Sequence, residues 1–219
     1  NRNDHGPGEE HRLLLVVSPG CAPMYRELAG VIPHPFVYIA DFPLRYTVAG
    51  FSTYFTEGVH CVTSKVQQVP DACVPSAAKH RSRLHFHLAQ QQAPAGTWPI
   101  LVDHEGEWTE APGANLVVVS RSQVYTVTRQ CLQGISMQTV ADLTQATPLP
   151  YPGSGHRIEE LWLTGTPFFS LPVVSLDGKP IGDGKIGPVY KSMMEKADAL
   201  VGLCTKDQII RWDQEADTR

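Results

Sequence analysis

The chain has 219 residues, 42% of them hydrophobic and 18% charged, with a formal net charge of -4 at pH 7. That length and apolar content suffice for one large domain, or one domain plus a smaller piece, and the mild acidity excludes the basic footprint of a nucleic-acid or anionic-membrane binder. Five cysteines, Cys21, Cys61, Cys73, Cys131 and Cys204, contain no CxxC pair and form an odd set. They signal neither a disulfide framework nor a zinc site, and a reducing intracellular compartment, cytoplasm or organelle, is expected.

No apolar run approaches the roughly 18 to 20 residues needed to cross a bilayer. The chain begins at Asn1 without a methionine, which reads as a processed or trimmed product. NRNDHGPGEEH is a polar, Gly/Pro-containing lead-in. HRLLLVVSPG follows as a short apolar run closed by Pro19 and Gly20, the pattern of a buried strand ending in a turn. PFVYIADFP gives a second strand, and the looser stretch from Phe42 to Gly50 reads as the crossing from a small first lobe to the main domain. Alternation at Val59, Cys61 and Thr63 then predicts a strand running towards the Pro70 to Pro75 loop.

That loop delivers Lys79, at the junction between an extended segment and a helix whose apolar face is assigned to Leu84 and Leu88. A lysine there is most often solvated. Held towards a cavity instead, it could form a Schiff base. His80, His85 and His87 lie nearby, but His85 and His87 point to different faces of a helix and no cysteine or second carboxylate joins them, so they read as surface or packing residues, not metal ligands. WPILVDHEGEWTEAPGANLVVVSRSQVYTV alternates strand, turn and strand, with a hairpin centred on Glu105 and Gly106. In the last third, IGDGKIGPVYKSMMEKADALVGL reads as a Gly-rich loop and a helix with Pro188 in its first turn and Val189, Met193 and Ala197 on one face. Its GxGK string lacks the spacing of a nucleotide-binding loop.

Four stretches together resemble the fold-type IV (class IV) pyridoxal-phosphate enzymes, which include branched-chain and D-amino-acid aminotransferases and aminodeoxychorismate lyase. They are EGVHCVTSKVQQVP leading to AAKH; DHEGEWTEAPGANLVVV; LQGISMQTV; and LWLTGTPFFSLPVVSLDGKPIGDGKIGPVYKSM. The resemblance covers roughly residues 42 to 219. It implies an α+β large domain over 45–219 with a barrel-like, mostly antiparallel sheet and flanking helices, preceded by a truncated small lobe over 1–44.

The resemblance also implies roles. Pyridoxal 5'-phosphate needs a lysine for its aldehyde, an acid for its ring nitrogen and donors for its phosphate. Lys79 matches the Schiff-base lysine, which then serves as general base. Glu110 matches the carboxylate that pairs with the ring nitrogen, with Asn115 beside it. Gly134, Ile135 and Ser136 match the phosphate-binding helix start, where unpaired N–H groups collect. Gly165 and Thr166 match the second phosphate-side contact. By themselves Glu110 is an ordinary turn carboxylate, Ser136 an ordinary N-cap and Thr166 an ordinary strand-end residue.

Departures accompany the matches. Relatives carry a longer small domain before the position of Arg12, where an arginine commonly reaches the phosphate. Branched-chain enzymes place a tyrosine five residues after the lysine, where this chain has Leu84. TPLPYPGSG, from Thr147 to Gly155, stands where relatives have a longer connection. The reading is an aminotransferase or lyase acting on a small-molecule amino donor and acceptor, completed as a homodimer. The alternative is a catalytically silent descendant serving as a subunit of a larger assembly.

Overall fold

The structure is a computed structural model that describes residues 10–20, 34–150 and 157–217. It divides into two units, Asn1–Ala49 and Gly50–Arg219. The lead-in before Glu10, Cys21 and the stretch 151–155 of the Pro/Gly-rich connection lie outside the described residues.

In the first unit, β1 (His11–Ser18) pairs antiparallel with β2 (Phe36–Pro43), Leu15 opposite Ile39 and Val17 opposite Val37. The expectation of a buried strand at HRLLLVVS is corrected here. Leu13, Leu15 and Val17 are all more than half exposed, as are Val37 and Ile39 on the same face. Facing residues of an antiparallel pair share one side of the sheet, and among the described residues nothing covers that side. A short 3-10 turn, Leu44–Tyr46, ends the unit.

The second unit is an α+β domain. Its strands are β3 (Val59–Gln67), β4 (Thr97–Val102), β5 (Asn115–Ser120), β6 (Gln123–Val127), β7 (Thr147–Leu149), β8 (Glu160–Gly165), β9 (Phe169–Leu176) and β10 (Lys179–Pro180). The sheet order is β4-β3-β9-β8-β5-β6-β7, with β10 on β9. Ladders β3–β4, β3–β9 and β6–β7 are parallel and the others antiparallel, so the sheet is mixed. Among the described residues no ladder joins β4 to β7. Every residue of β5 and β8 is buried, because these strands lie mid-sheet. Leu116, Leu161, Leu163, Leu171 and Trp162 form the heart of the core.

The helices are α1 (Ser52–Thr56), α2 (Leu84–Gln92), α3 (Ile135–Thr144), α4 (Pro188–Val201) and α5 (Thr205–Asp217). Three sequence expectations shift. The alternation of β3 holds at Val59 and Cys61, but Thr63 is exposed, with its N–H and hydroxyl both donating to the Asp177 carboxylate, and Ser64 is buried; the register against β4 then shifts between Thr63 and Gln67. In α2 the buried residues are Phe86 and Ala89, while Leu84 and Leu88 are 66% and 41% exposed; contact with β3 and β4 selects the face. In α4, Met193 and Ala197 are buried as expected, but Tyr190 takes the place given to Val189. Its hydroxyl donates to Ser170 O at 2.9 Å.

Candidate active site

The chain turns back after β4 at an aspartate. Asp103 Oδ1 accepts from the backbone N–H of Glu105 and Glu107, and Gly106 takes φ 83°. This is a side-chain-supported turn closed by a glycine. The returning segment places Thr109 and Glu110 against Leu101, with Leu101 N donating to Glu110 O at 2.9 Å. The turn expected at Glu105 and Gly106 is therefore present, but its second arm forms no strand of its own and meets β4 through an isolated bridge, Val102 to Trp108. A second tight turn, Ala111 to Ala114 with Gly113 at φ 80°, follows at once. Glu110 and Asn115 thereby flank one turn.

These two side chains reach the same residue. Leu132 N donates to Glu110 Oε2 at 3.4 Å, and Asn115 Nδ2 donates to Leu132 O at 2.5 Å. The loop that leads into α3 is thus strapped to the turn. Gly134 is the N-cap of α3, in extended conformation, and no side chain caps it. Ser136 stands inside the first turn, not at the cap as the sequence suggested. The leading N–H groups of an α-helix have no intrahelical acceptor, so the start of α3 is an anion-attracting end. Glycine at 134 leaves room for Asn115: a Cβ there would collide with Asn115 Oδ1 and displace that side chain. Gly165 is constrained similarly: a Cβ would stand 2.8 Å from Phe168 Cζ and 2.9 Å from Gly113 O.

One cavity of about 260 Å³ gathers these groups, and Lys79, Glu110, Asn115, Gly134, Ile135, Ser136, Gly165 and Thr166 all line it. Lys79 lies in an irregular segment; α2 begins at Leu84, later than the sequence indicated. Leu84 is exposed and is not part of the lining.

Sequence reasoning missed several lining residues. Gln68, buried at the end of β3, donates through Nε2 to Glu110 Oε1 at 2.8 Å and to Gln130 O at 2.9 Å. Thr164 has a buried hydroxyl without a hydrogen-bond partner. His80, Arg83 and His85 also line the cavity. The sequence assigns His80 and His85 to the surface or to packing, and the density of KHRSRLH beside Lys79 is the signal that could have placed them here. Among the described residues, no cluster of three or more metal-ligating side chains occurs.

Electrostatics single out Glu110. Burial pushes its carboxyl up from 4.5 to about 7, against the opposing pull of Gln68, the Leu132 N–H, Arg83 and Lys79. A buried acid so poised gains most from a cationic partner arriving in the cavity.

The chain belongs to the amino-transferase class IV family, whose description matches residues 2–176. It is 29% identical over 145 residues to the branched-chain-amino-acid aminotransferase-like protein 1 of Arabidopsis thaliana, covering 62% of this chain and 26% of that protein. It is 28% identical over 103 residues to a D-alanine aminotransferase of Staphylococcus haemolyticus, covering 43% of this chain and 36% of the relative. A T.th. branched-chain amino acid aminotransferase, solved with pyridoxamine 5'-phosphate, superposes with a TM-score of 0.60 and 26% identity, over 71% of this chain and 54% of that one. The chain spans about half or less of each of these proteins.

Proposed function

We propose that this chain carries the cofactor site of a pyridoxal-phosphate-dependent aminotransferase acting on an amino acid. The observation that carries the reading is the convergence, in one cavity, of a lysine, a buried carboxylate and an uncapped helix start. The residues fit the group on their own chemistry: the start of α3 lacks a capping acceptor, Thr164 Oγ1 is buried without a partner, and Glu110 is held where a cation would relieve its burial. Membership of the family and the T.th. structure with pyridoxamine 5'-phosphate support the same assignment.

Pyridoxal phosphate, when bound, supplies an aldehyde for amines and a ring that withdraws electrons from the bond being broken. Lys79 would hold it covalently, and Lys79 Nζ, once free, would move a proton between the substrate's α-carbon and the cofactor. Glu110 would keep the ring nitrogen protonated. The N–H groups of Ile135 and Ser136, with the hydroxyls of Ser136 and Thr166, would receive the phosphate. Gly134 and Gly165 would hold the backbone close around it.

Protein incubated with pyridoxal phosphate and dialysed should keep a visible absorbance band. Borohydride should abolish the band and leave the label on the peptide containing Lys79, and Lys79→Ala should show no band. A wild-type protein without the band would leave the catalytically silent role as the reading.

A further inference from the structure

Three polar side chains cross the middle of the sheet in one row. Asn115 on β5 stands opposite Thr164 on β8, and Thr164 stands opposite Ser170 on β9. Residues paired in this way share one face of a sheet. The next row on that face is Val117, Trp162 and Pro172, so bulky apolar residues bound the polar row on its inner side. Asn115 and Thr164 line the cavity, whereas Ser170 lies one strand behind Thr164 and is not part of the lining.

Thr164 is 1% exposed and Ser170 0%, yet neither hydroxyl has a hydrogen-bond partner. Asn115 is engaged by contrast, through Leu132 O. Most buried polar side-chain atoms are hydrogen-bonded, so two unmet hydroxyls side by side call for a cause. The backbone around them is settled: Ser170 O accepts from the Tyr190 hydroxyl at 2.9 Å, and Ser170 N donates to Phe168 O at 2.8 Å. The side-chain torsions are what can still turn. Directly opposed residues hold their Cβ atoms about 4.5–5.5 Å apart, a span that two hydroxyls can close by rotating χ1. A hydroxyl donates and accepts at once, so Thr164 can face an acceptor in the cavity while taking a proton from Ser170 behind it.

Resting on the reading of this cavity as the site of a phosphate-bearing cofactor, we propose that Thr164 and Ser170 form a two-hydroxyl relay completed by the bound phosphate. Thr164 Oγ1 donates to a phosphate oxygen, and Ser170 Oγ donates to Thr164 Oγ1. A charged acceptor makes the first bond the strong kind, and a hydroxyl that accepts from behind donates more strongly in front. Ser170 is therefore a positioning residue that acts through Thr164 without touching the ligand. The same two groups weaken the ligand-free fold and tighten its hold on phosphate.

The test joins thermal melts of ligand-free protein to calorimetric binding of inorganic phosphate, pyridoxamine 5'-phosphate and pyridoxamine. Thr164→Val keeps the shape and removes the hydroxyl. Its ligand-free midpoint should rise by about 2 °C or more. Both phosphate ligands should bind it roughly tenfold more weakly, with pyridoxamine changed by less than about twofold. Thr164→Ser, which keeps the hydroxyl, should bind phosphate as wild type does. Ser170→Ala should also raise the midpoint and weaken phosphate binding about threefold, and adding it to Thr164→Val should bring no further loss, because the relay is already cut. A hydroxyl with only a structural role gives the reverse, a lowered midpoint and unchanged phosphate affinity. That result for Thr164→Val, losses that add in the double variant, or a wild type that binds neither phosphate ligand would overturn the proposal. The two readings fail separately: a wild-type protein without the visible band discards the cofactor, whereas the dependence of inorganic phosphate binding on Thr164 still decides the relay.

Discussion

Gln68 Nε2 lies 2.8 Å from Glu110 Oε1 while also donating to Gln130 O, so the buried carboxylate is oriented by an amide that is itself pinned to the backbone. Gln68→Met removes the donor at nearly constant volume, leaving Glu110 harder to ionise. A hydrogen bond to a charged group is worth about 1.5–3 kcal/mol, so pyridoxal phosphate affinity near neutral pH should fall roughly tenfold or more. The loss should shrink as pH rises and Glu110 ionises anyway. Band titration at several pH values checks this, and an equal loss at every pH would indicate a packing role only.

Glu110 also leaves a mark on stability when no ligand is bound. Burial lifts its folded pKa to about 7, above the ordinary value of 4.5. Below the lower value both states are protonated; as pH rises through the window the unfolded state ionises while the buried carboxyl keeps its proton, which favours unfolding. Stability from this residue is therefore fully present below about pH 4.5 and lost by about pH 7, by ~3 kcal/mol at ~1.4 kcal/mol per unit. Denaturant melts of wild type against Glu110→Gln across that range should show the fall in wild type alone. Parallel curves would refute it.

Gly134→Ala should damage the site through Asn115 and not through backbone strain, since the residue's φ of -68° suits alanine. Phosphate-ester affinity should fall on the order of tenfold, and Asn115→Ala should also weaken binding. Adding it to Gly134→Ala should cost less than the sum, because the clash partner is gone. A strictly additive cycle would mean the two residues act apart.

Glu160, at the other end of β8 from Thr164, caps α4: its carboxylate accepts from Val189 N and Tyr190 N, both at 2.9 Å, and from Trp162 Nε1 at 3.0 Å. Glu160→Ala strands these buried donors and should lower stability by about 2–4 kcal/mol, while the visible band survives in folded protein. Gly187→Ala should do similar harm, because a Cβ there would collide with the Glu160 carboxylate. Thermal melts with and without cofactor measure both, and a wild-type midpoint for either variant would contradict the assignment.

Much of the site was legible because its parts are local in sequence. Glu110 and Asn115 flank a Pro-Gly turn, and Gly134 to Ser136 open a helix, so the family resemblance of those short stretches carried them where the residues alone read as an ordinary turn and cap. Gln68 and Thr164 were not legible: each is a polar residue in or beside a strand, and its meaning comes from the neighbouring strand and the loop across it. The face of α2 was lost for a related reason. Leu84 and Leu88 satisfy helical spacing, but β3 and β4 meet the helix at Phe86 and Ala89. The buried reading of Leu13, Leu15 and Val17 failed because an apolar run specifies a strand without specifying that anything covers it. Thr63 is exposed and bonded through its N–H and hydroxyl to Asp177, a partner far along the chain that a period of two cannot show.

Leu132, whose N–H meets Glu110 and whose carbonyl meets Asn115, stands two residues before the cap of α3. On the proposed reading, the ring nitrogen is received by Glu110, which the Leu132 N–H holds, and the phosphate by the start of α3 just beyond, two stations that make the cavity a gauge of ligand length. An analogue with one additional methylene between ring and phosphorus can satisfy either station but not both, and lengthening the loop between Gln130 and Gly134 by one residue resets the gauge.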